Sequence, residues 1–230
     1  MNILAITLDL DDTLWPITPI VLRAETRLDA WLRTHCPAVA DAYPIPAMRA
    51  LRERISAEHP HLAHDFTAQR RLSLRAALEP HGYDDAMLDA AFEAYYAARN
   101  EVDLYPDVRD ALTRLAARLP IVSLSNGNAD LERIGLRPLF AATVTARDFG
   151  AGKPAPEIFR HACERAGVAP ANVLHVGDDP ELDVIGARNA GLRTAWVNRG
   201  GAAWSHDGAP DVTVADLVEL ADWLDLRRAA

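Results

Sequence analysis

Aspartates recur in this chain where short apolar runs end. Asp9 and Asp11 follow the run Ile3–Leu8, and Thr13 lies just beyond them. Asp178 and Asp179 follow the run Asn172–Val176 through Gly177, and Asp183 comes shortly after. Ser125 and Asn126 close the run Pro120–Leu124, while Lys153 stands between Gly152 and Pro154. An extended backbone sends Asp9 and Asp11 out on the same side. Hard carboxylate oxygens on several short loops suit Mg²⁺, which keeps some waters and completes its shell with substrate phosphate. Without a cation, carboxylates crowded around one crevice would repel each other and any anionic substrate, and Lys153 offsets only part of that charge. A carboxylate can also be a nucleophile, forming an aspartyl phosphate. A second carboxyl nearby can protonate the leaving oxygen and then activate water. Ser125 and the backbone N–H at Asn126 could hold phosphoryl oxygens, with Lys153 stabilising the transferring group.

Those residues need a scaffold that brings distant loops together. Buried-strand runs are predicted at Ile3–Leu8, Pro120–Leu124, Ala142–Thr145, Asn172–Val176 and Arg193–Val197. Between and after them, helical periodicity marks Val108–Arg118, Glu157–Ala166, Glu181–Ala190 and Ala215–Leu226. This alternation predicts an α/β fold, a Rossmann-like, doubly wound parallel sheet. Such sheets bind ligands in the crevice beyond the strands' carboxyl ends, where the carboxylates, Ser125 and Lys153 fall. From about Pro16 to Leu104 no strand run occurs. Helices are predicted instead near 19–34, 46–59, 62–79 and 84–100, punctuated by prolines. They form an inserted all-helical, four-helix module.

Composition narrows the function classes. The chain has 230 residues, 24 basic and 33 acidic, for a formal net charge of −9, and half of it is hydrophobic. An acidic protein without a Lys/Arg run is a poor binder of nucleic acid or anionic membrane. Its apolar runs are far shorter than the ~20 residues a bilayer span needs. Cys36 and Cys163 lie far apart without a CxxC partner and read as reduced thiols. The N-terminal run lacks a basic n-region, so a cytoplasmic protein is expected. Either a monomer or a homodimer suits such a surface.

Other polar residues have simpler readings. Asp12 reads as a turn residue, and Asp179 before Pro180 as a helix N-cap. Asn128 is expected to cap the next short helix. Gly150-x-Gly152-Lys153 lacks P-loop spacing. His59, His61 and His64 with Asp65 fit a helix junction better than a zinc site. Arg70, Arg71 and Arg75 read as a solvated helix face. Trp15 reads as packing after the first motif, and Tyr95 and Tyr96 as core or interface aromatics.

The ordered set Asp9-x-Asp11-x-Thr13, Ser125, Lys153-Pro154 and Gly177-Asp178 with Asp183 resembles the haloacid dehalogenase superfamily over essentially the whole chain. The resemblance implies a catalytic core at 1–15 and 105–230 and a helical cap at 16–104 that closes over the crevice. It implies Asp9 as nucleophile, Asp11 as general acid/base, Thr13 as support for their geometry and Ser125 as a phosphate ligand. Lys153 would neutralise charge between Asp9 and the phosphoryl group. Mg²⁺ would be held by Asp9, the backbone carbonyl of Asp11 and Asp178, with Asp183 acting indirectly. Dehalogenating members typically lack the second aspartate, so Asp11 favours hydrolysis of small phosphate monoesters. The stretch Asp9–Glu25, His64-Asp65, Arg70, Ser125–Asn128 and His175–Asp179 is similar to a bacterial subgroup. That subgroup acts on flavin mononucleotide and 5-amino-6-(5-phospho-D-ribitylamino)uracil. A haloacid dehalogenase, a phosphosugar mutase of the same fold and a non-catalytic binding module remain alternatives.

Overall fold

The computed structural model describes residues 2–228. In chain order, β1 (Ala5–Leu8) is followed by α1 (Ile17–His35), α2 (Pro37–Ala42), α3 (Ile45–Glu58), α4 (Phe66–Leu78) and α5 (Asp85–Arg99). Strands and helices then alternate as α6 (Val108–Ala116), β2 (Ile121–Ser125), α7 (Leu131–Ile134), β3 (Ala142–Thr145), α8 (Ala146–Phe149) and α9 (Pro156–Ala166). The chain closes with β4 (Val173–Gly177), α10 (Gly186–Asn189), β5 (Arg193–Val197), β6 (Val212–Val214) and α11 (Leu217–Arg228).

The strands form one parallel sheet in the order β3-β2-β1-β4-β5-β6. Every residue of β1, β2 and β4 is buried, as expected of central strands covered on both faces. α6 buries Val108, Ala111, Leu112 and Leu115, a single helical stripe. α9 packs Ile158, Phe159 and Ala162 into a cluster with Val122, Leu124 and Val144 of the sheet. After β1 the chain builds outward through β2 and β3, then returns to add β4 on the other side of β1. The β1/β4 boundary is thus the topological switch point, where the loops diverge and leave a crevice.

Two compact units are distinguished. One comprises the segment up to Pro16, Asp103–Gly127 and the chain from Gly135 onward; the other is Ile17–Val102 with Asn128–Ile134. The helical unit has its own core, with Leu28, Leu32, Leu74, Leu78, Leu88 and Tyr95 buried together. Its four long helices are joined by the short α2, which begins at Pro37. Six residues are too few to show a period, so α2 is not visible in the sequence pattern. α4 starts at Phe66 rather than 62, because the Asp65 carboxylate caps it by accepting from the Ala68 N–H at 2.9 Å. Asp65 is therefore a helix cap, in keeping with a junction there.

Two expectations fail in this unit. Arg70 is buried, not solvated; its guanidinium lies 4.0 Å over the Tyr95 ring, and burial lowers its pKa. Arg71 and Arg75 do stay at the surface, paired with Asp89 and Asp85. Asn128 does not cap α7: its amide donates to Thr67 Oγ1 at 3.3 Å, and Asp130 accepts from the Glu132 and Arg133 N–H groups instead. Among the described residues no helix is long and apolar enough to cross a membrane. Cys36 and Cys163 are both free and buried.

Candidate active site

The switch point gathers the motif residues of the sheet unit. Asp9 leaves the end of β1, its N–H donating to Val176 O at 2.9 Å, so it emerges beside Gly177 and Asp178 at the end of β4. Asp9, Asp178 and Asp183 each present a carboxylate oxygen within 4.8 Å of the other two. Lys153 Nζ bridges two of them, donating to Asp9 Oδ1 at 2.5 Å and to Asp183 Oδ1 at 2.6 Å. Asp9, Lys153 and Asp183 are all buried. The Thr13 hydroxyl faces Asp178 Oδ1 at 2.9 Å and Asp9 Oδ2 at 3.2 Å. Its single hydrogen is thus shared between both carboxylates.

Local sequence explains why these groups meet. Asp12 adopts φ 60°, a left-handed conformation that Asp tolerates better than most residues. Its N–H donates to Trp15 O at 2.8 Å, so the backbone turns back at the end of β1. Asp12 is the turn residue expected. The turn buries Trp15, whose indole N–H donates to Asp11 Oδ1 at 2.8 Å. The Asp11 side chain is therefore anchored on Trp15, and the carboxylate trio is formed without it. Asp179 accepts from the Glu181 and Leu182 N–H groups, both at 2.8 Å, and Pro180 opens the helical turns that follow. It is the N-cap anticipated from its sequence. Those turns carry Asp183 back under Gly177, where a Cβ on residue 177 would lie 2.3 Å from Asp183 Cγ. Only glycine fits this approach.

The Lys153 loop is fastened by Asn126. The Asn126 amide accepts from the Lys153 N–H at 2.7 Å and donates to the Lys153 carbonyl at 2.9 Å. Sequence reasoning expected the backbone N–H of Asn126 at a phosphate; its side chain proves to be the clamp that sets the lysine. Ser125 is buried, and its Oγ accepts from the Gly127 N–H at 2.9 Å.

Electrostatics divides the carboxylates. Burial works against ionisation of Asp183, but Lys153 and then His175 more than compensate and hold its pKa well below the usual range. Asp9 is pushed the other way: burial dominates, and the charges of Asp183 and Asp178 add to it against Lys153. Burial and the Asp183 charge raise Asp178 to about 7, although the Thr13 hydrogen bond pulls downward. Burial disfavours the Lys153 ammonium, yet Asp183 and Asp9 on either side raise its pKa. Three carboxylates thus share one ammonium, a deficit of positive charge concentrated on hard oxygen donors. That donor set fits a divalent cation such as Mg²⁺.

Sequence reasoning missed Thr7 and gave His175, quoted only within the His175–Asp179 resemblance, no role. The β1–β4 register sets Thr7 opposite His175, Thr7 Oγ1 lies 2.9 Å from His175 Nδ1, and His175 Nε2 lies 3.0 Å from Asp183 Oδ1. The available signal was a polar, titratable side chain inside an otherwise apolar strand run. Trp196 was missed too; its indole N–H donates to the Asp178 carbonyl at 2.8 Å.

Comparison with known proteins identifies the family. A family model described as haloacid dehalogenase-like hydrolase matches residues 3–191. The chain belongs to the haloacid dehalogenase-like hydrolase family. It is therefore an enzyme of the hydrolase class. It is 32% identical over 200 residues, 85% of this chain and 84% of the relative, to the 5-amino-6-(5-phospho-D-ribitylamino)uracil phosphatase YigB of Escherichia coli strain K12. It is 37% identical over 157 residues, 66% of this chain and 63% of the relative, to a phosphoserine phosphatase of Thermus thermophilus. Among solved structures, a 2-haloacid dehalogenase from Pseudomonas syringae pv. Tomato DC3000 superposes with a TM-score of 0.91 at 38% identity, covering 99% of this chain and 100% of that one. Family members with both kinds of described activity thus share this fold.

Proposed function

We propose that this enzyme hydrolyses small-molecule phosphate monoesters with Mg²⁺, through a phosphoryl group carried on Asp9. The observation that carries the reading is the trio of Asp9, Asp178 and Asp183, its buried members Asp9 and Asp183 bridged by Lys153, with a further aspartate, Asp11, anchored nearby. In the first step a carboxylate oxygen of Asp9 forms a bond to phosphorus while the ester O–P bond breaks. Asp11 gives its proton to the departing alkoxide oxygen, so the alcohol leaves neutral. In the second step Asp11 takes a proton from water as the water oxygen bonds to phosphorus. The acyl-phosphate bond then breaks, inorganic phosphate is released and the Asp9 carboxylate is restored.

Lys153, already on Asp9 Oδ1, holds the nucleophile in place and faces the charge that grows on the phosphoryl oxygens. Thr13 orients Asp9 and Asp178 together. Ser125 and the Asn126 N–H bind phosphoryl oxygens. Held by Asp9, Asp178, the Asp11 carbonyl and, indirectly, Asp183, Mg²⁺ would supply the missing positive charge and Lewis acidity toward the phosphate. The Trp15 indole fixes the Asp11 carboxyl for both proton transfers.

The helical insertion at about 16–104 is the cap, and the remainder is the catalytic core. The similarity to YigB supports 5-amino-6-(5-phospho-D-ribitylamino)uracil as substrate, and the subgroup that the motifs resemble adds flavin mononucleotide. A second reading, dehalogenation of 2-haloacids, is favoured by the similarity to the Pseudomonas structure. Asp11 opposes it, because displacement of halide by a carboxylate needs no acid to protonate the leaving group. The test is phosphate release from flavin mononucleotide, the ribitylamino-uracil phosphate, sugar phosphates and nucleotides, with and without Mg²⁺, beside chloride release from 2-chloropropionate. Phosphate release that needs Mg²⁺ supports the first reading; chloride release without it supports the second.

A further inference from the structure

The buried residues Thr7 and His175 lie next to the catalytic cluster without touching Asp9. Both are side chains of central strands, from β1 and β4, facing each other across the register. The Asp183 carboxylate beside His175 Nε2 offers only lone pairs, so the 3.0 Å contact requires the hydrogen on Nε2. Nδ1 of a neutral ring is then a bare acceptor, and Thr7 Oγ1 at 2.9 Å is the group that donates to it. The opposite tautomer would set a nitrogen lone pair against a carboxylate lone pair in a dry site. The Phe159 ring closes on His175 edge-on with centroids 5.0 Å apart.

The consequence falls on Asp183. Its Oδ1 receives both His175 Nε2–H and Lys153 Nζ, and its Oδ2 receives the Asp179 N–H at 3.0 Å. Removal of the His175 donor would leave Oδ1 held by the flexible lysine alone, with only the Asp179 N–H on Oδ2 to fix the carboxylate plane, so that Oδ1 can swing and carry Lys153 off Asp9. We infer that Thr7 and His175 are positioning residues: the directed chain Thr7–His175–Asp183 fixes the Asp183 carboxylate, and through it the placement of Lys153 on Asp9. The inference rests on the phosphatase reading for its kinetic part only; the hydrogen-bond chain exists in the resting protein.

The first measurement is the histidine tautomer by nitrogen-detected NMR of the labelled wild-type protein, without substrate. His175 is expected as the Nε2–H form, and Thr7→Val, which removes the hydroxyl at nearly constant volume, is expected to keep that form while the Nδ1 resonance shifts on losing its donor. An Nδ1–H ring in the wild type would overturn the inference with no variant needed. The second is kinetics of phosphate release in Thr7→Val, His175→Leu and His175→Gln, with Mg²⁺ affinity by calorimetry. His175→Leu is expected to lower kcat by roughly 10–100-fold with KM within about twofold, the usual span for lost outer-shell partners. His175→Gln, which can donate an N–H to Asp183, is expected to recover a substantial part of that loss. A folded His175→Leu with wild-type kcat and Mg²⁺ affinity, or equal losses in Leu and Gln variants, would refute the role. If the wild type releases no phosphate, the functional reading falls while tautomer and Mg²⁺ affinity still decide this one.

Discussion

Asp178, like Asp9, is held above the ordinary carboxylate range in this site, and replacing it by asparagine has a calculable effect on the metal-free protein. Its pKa rises from an ordinary 3.8 to about 7 through burial and the Asp183 charge. The folded state therefore keeps a proton on Asp178 that the unfolded chain has already lost. Stability falls as pH climbs from about 4 to about 7, and the penalty is complete above that window. The gap of about 3 pKa steps corresponds to at most ~4 kcal/mol. Partial exposure of Asp178 and relaxation of its loop reduce this, so about half, ~2 kcal/mol, is expected to survive. In Asp178→Asn the amide oxygen can still accept from Thr13 while the charge is gone. After dialysis against EDTA, the variant is expected to melt roughly 4–8 °C above wild type at pH 8, with the gap largely closed at pH 4, near the ordinary carboxylate value. Added Mg²⁺ should reverse the order by stabilising only the wild type. Thermal melts followed by circular dichroism at both pH values measure this. A melting gap independent of pH, or a variant less stable than wild type at pH 8 without metal, would refute the crowded-carboxylate account.

Two further perturbations follow from contacts at the same site. Gly177→Ala places a Cβ 2.3 Å from Asp183 Cγ, so Asp183 must move; a loss of about 1–3 kcal/mol in denaturant titration and near-complete loss of phosphate release are expected. Asn126→Ala removes both hydrogen bonds on the Lys153 backbone. It should cost about 1–3 kcal/mol in the same titration and lower kcat at least tenfold, with the loss in kcat exceeding any rise in KM.

Much of the scaffold was legible because central strands of a parallel sheet read as unbroken apolar runs, and β1, β2 and β4 are such strands. β6 was not, since Val212–Val214 is three residues long with only Val214 buried. The Asp179 cap was legible because Asp-Pro is a local signal, complete within a few residues. Arg70 was misread because helical spacing gives a face but not what covers it, and here Tyr95 of another helix does. Asp9 and Asp178 announced themselves by standing at or just past strand ends, and Lys153 by its place in a loop beside Pro154. Asn126 as a clamp, and Thr7 opposite His175, depend on which loop and which strand lie alongside. Neither is encoded in local sequence, so both emerge only when the chain is folded.

The most direct test of the central claim is mass spectrometry of the Asp9 peptide from wild type and Asp9→Asn, acid-quenched during turnover of a phosphate monoester with Mg²⁺. A phosphoryl adduct on Asp9 in the wild type, absent from a variant that releases no phosphate, is the expected result. Phosphate release at the wild-type rate from Asp9→Asn, or turnover by wild type that leaves Asp9 unmodified at every quench time, would contradict it.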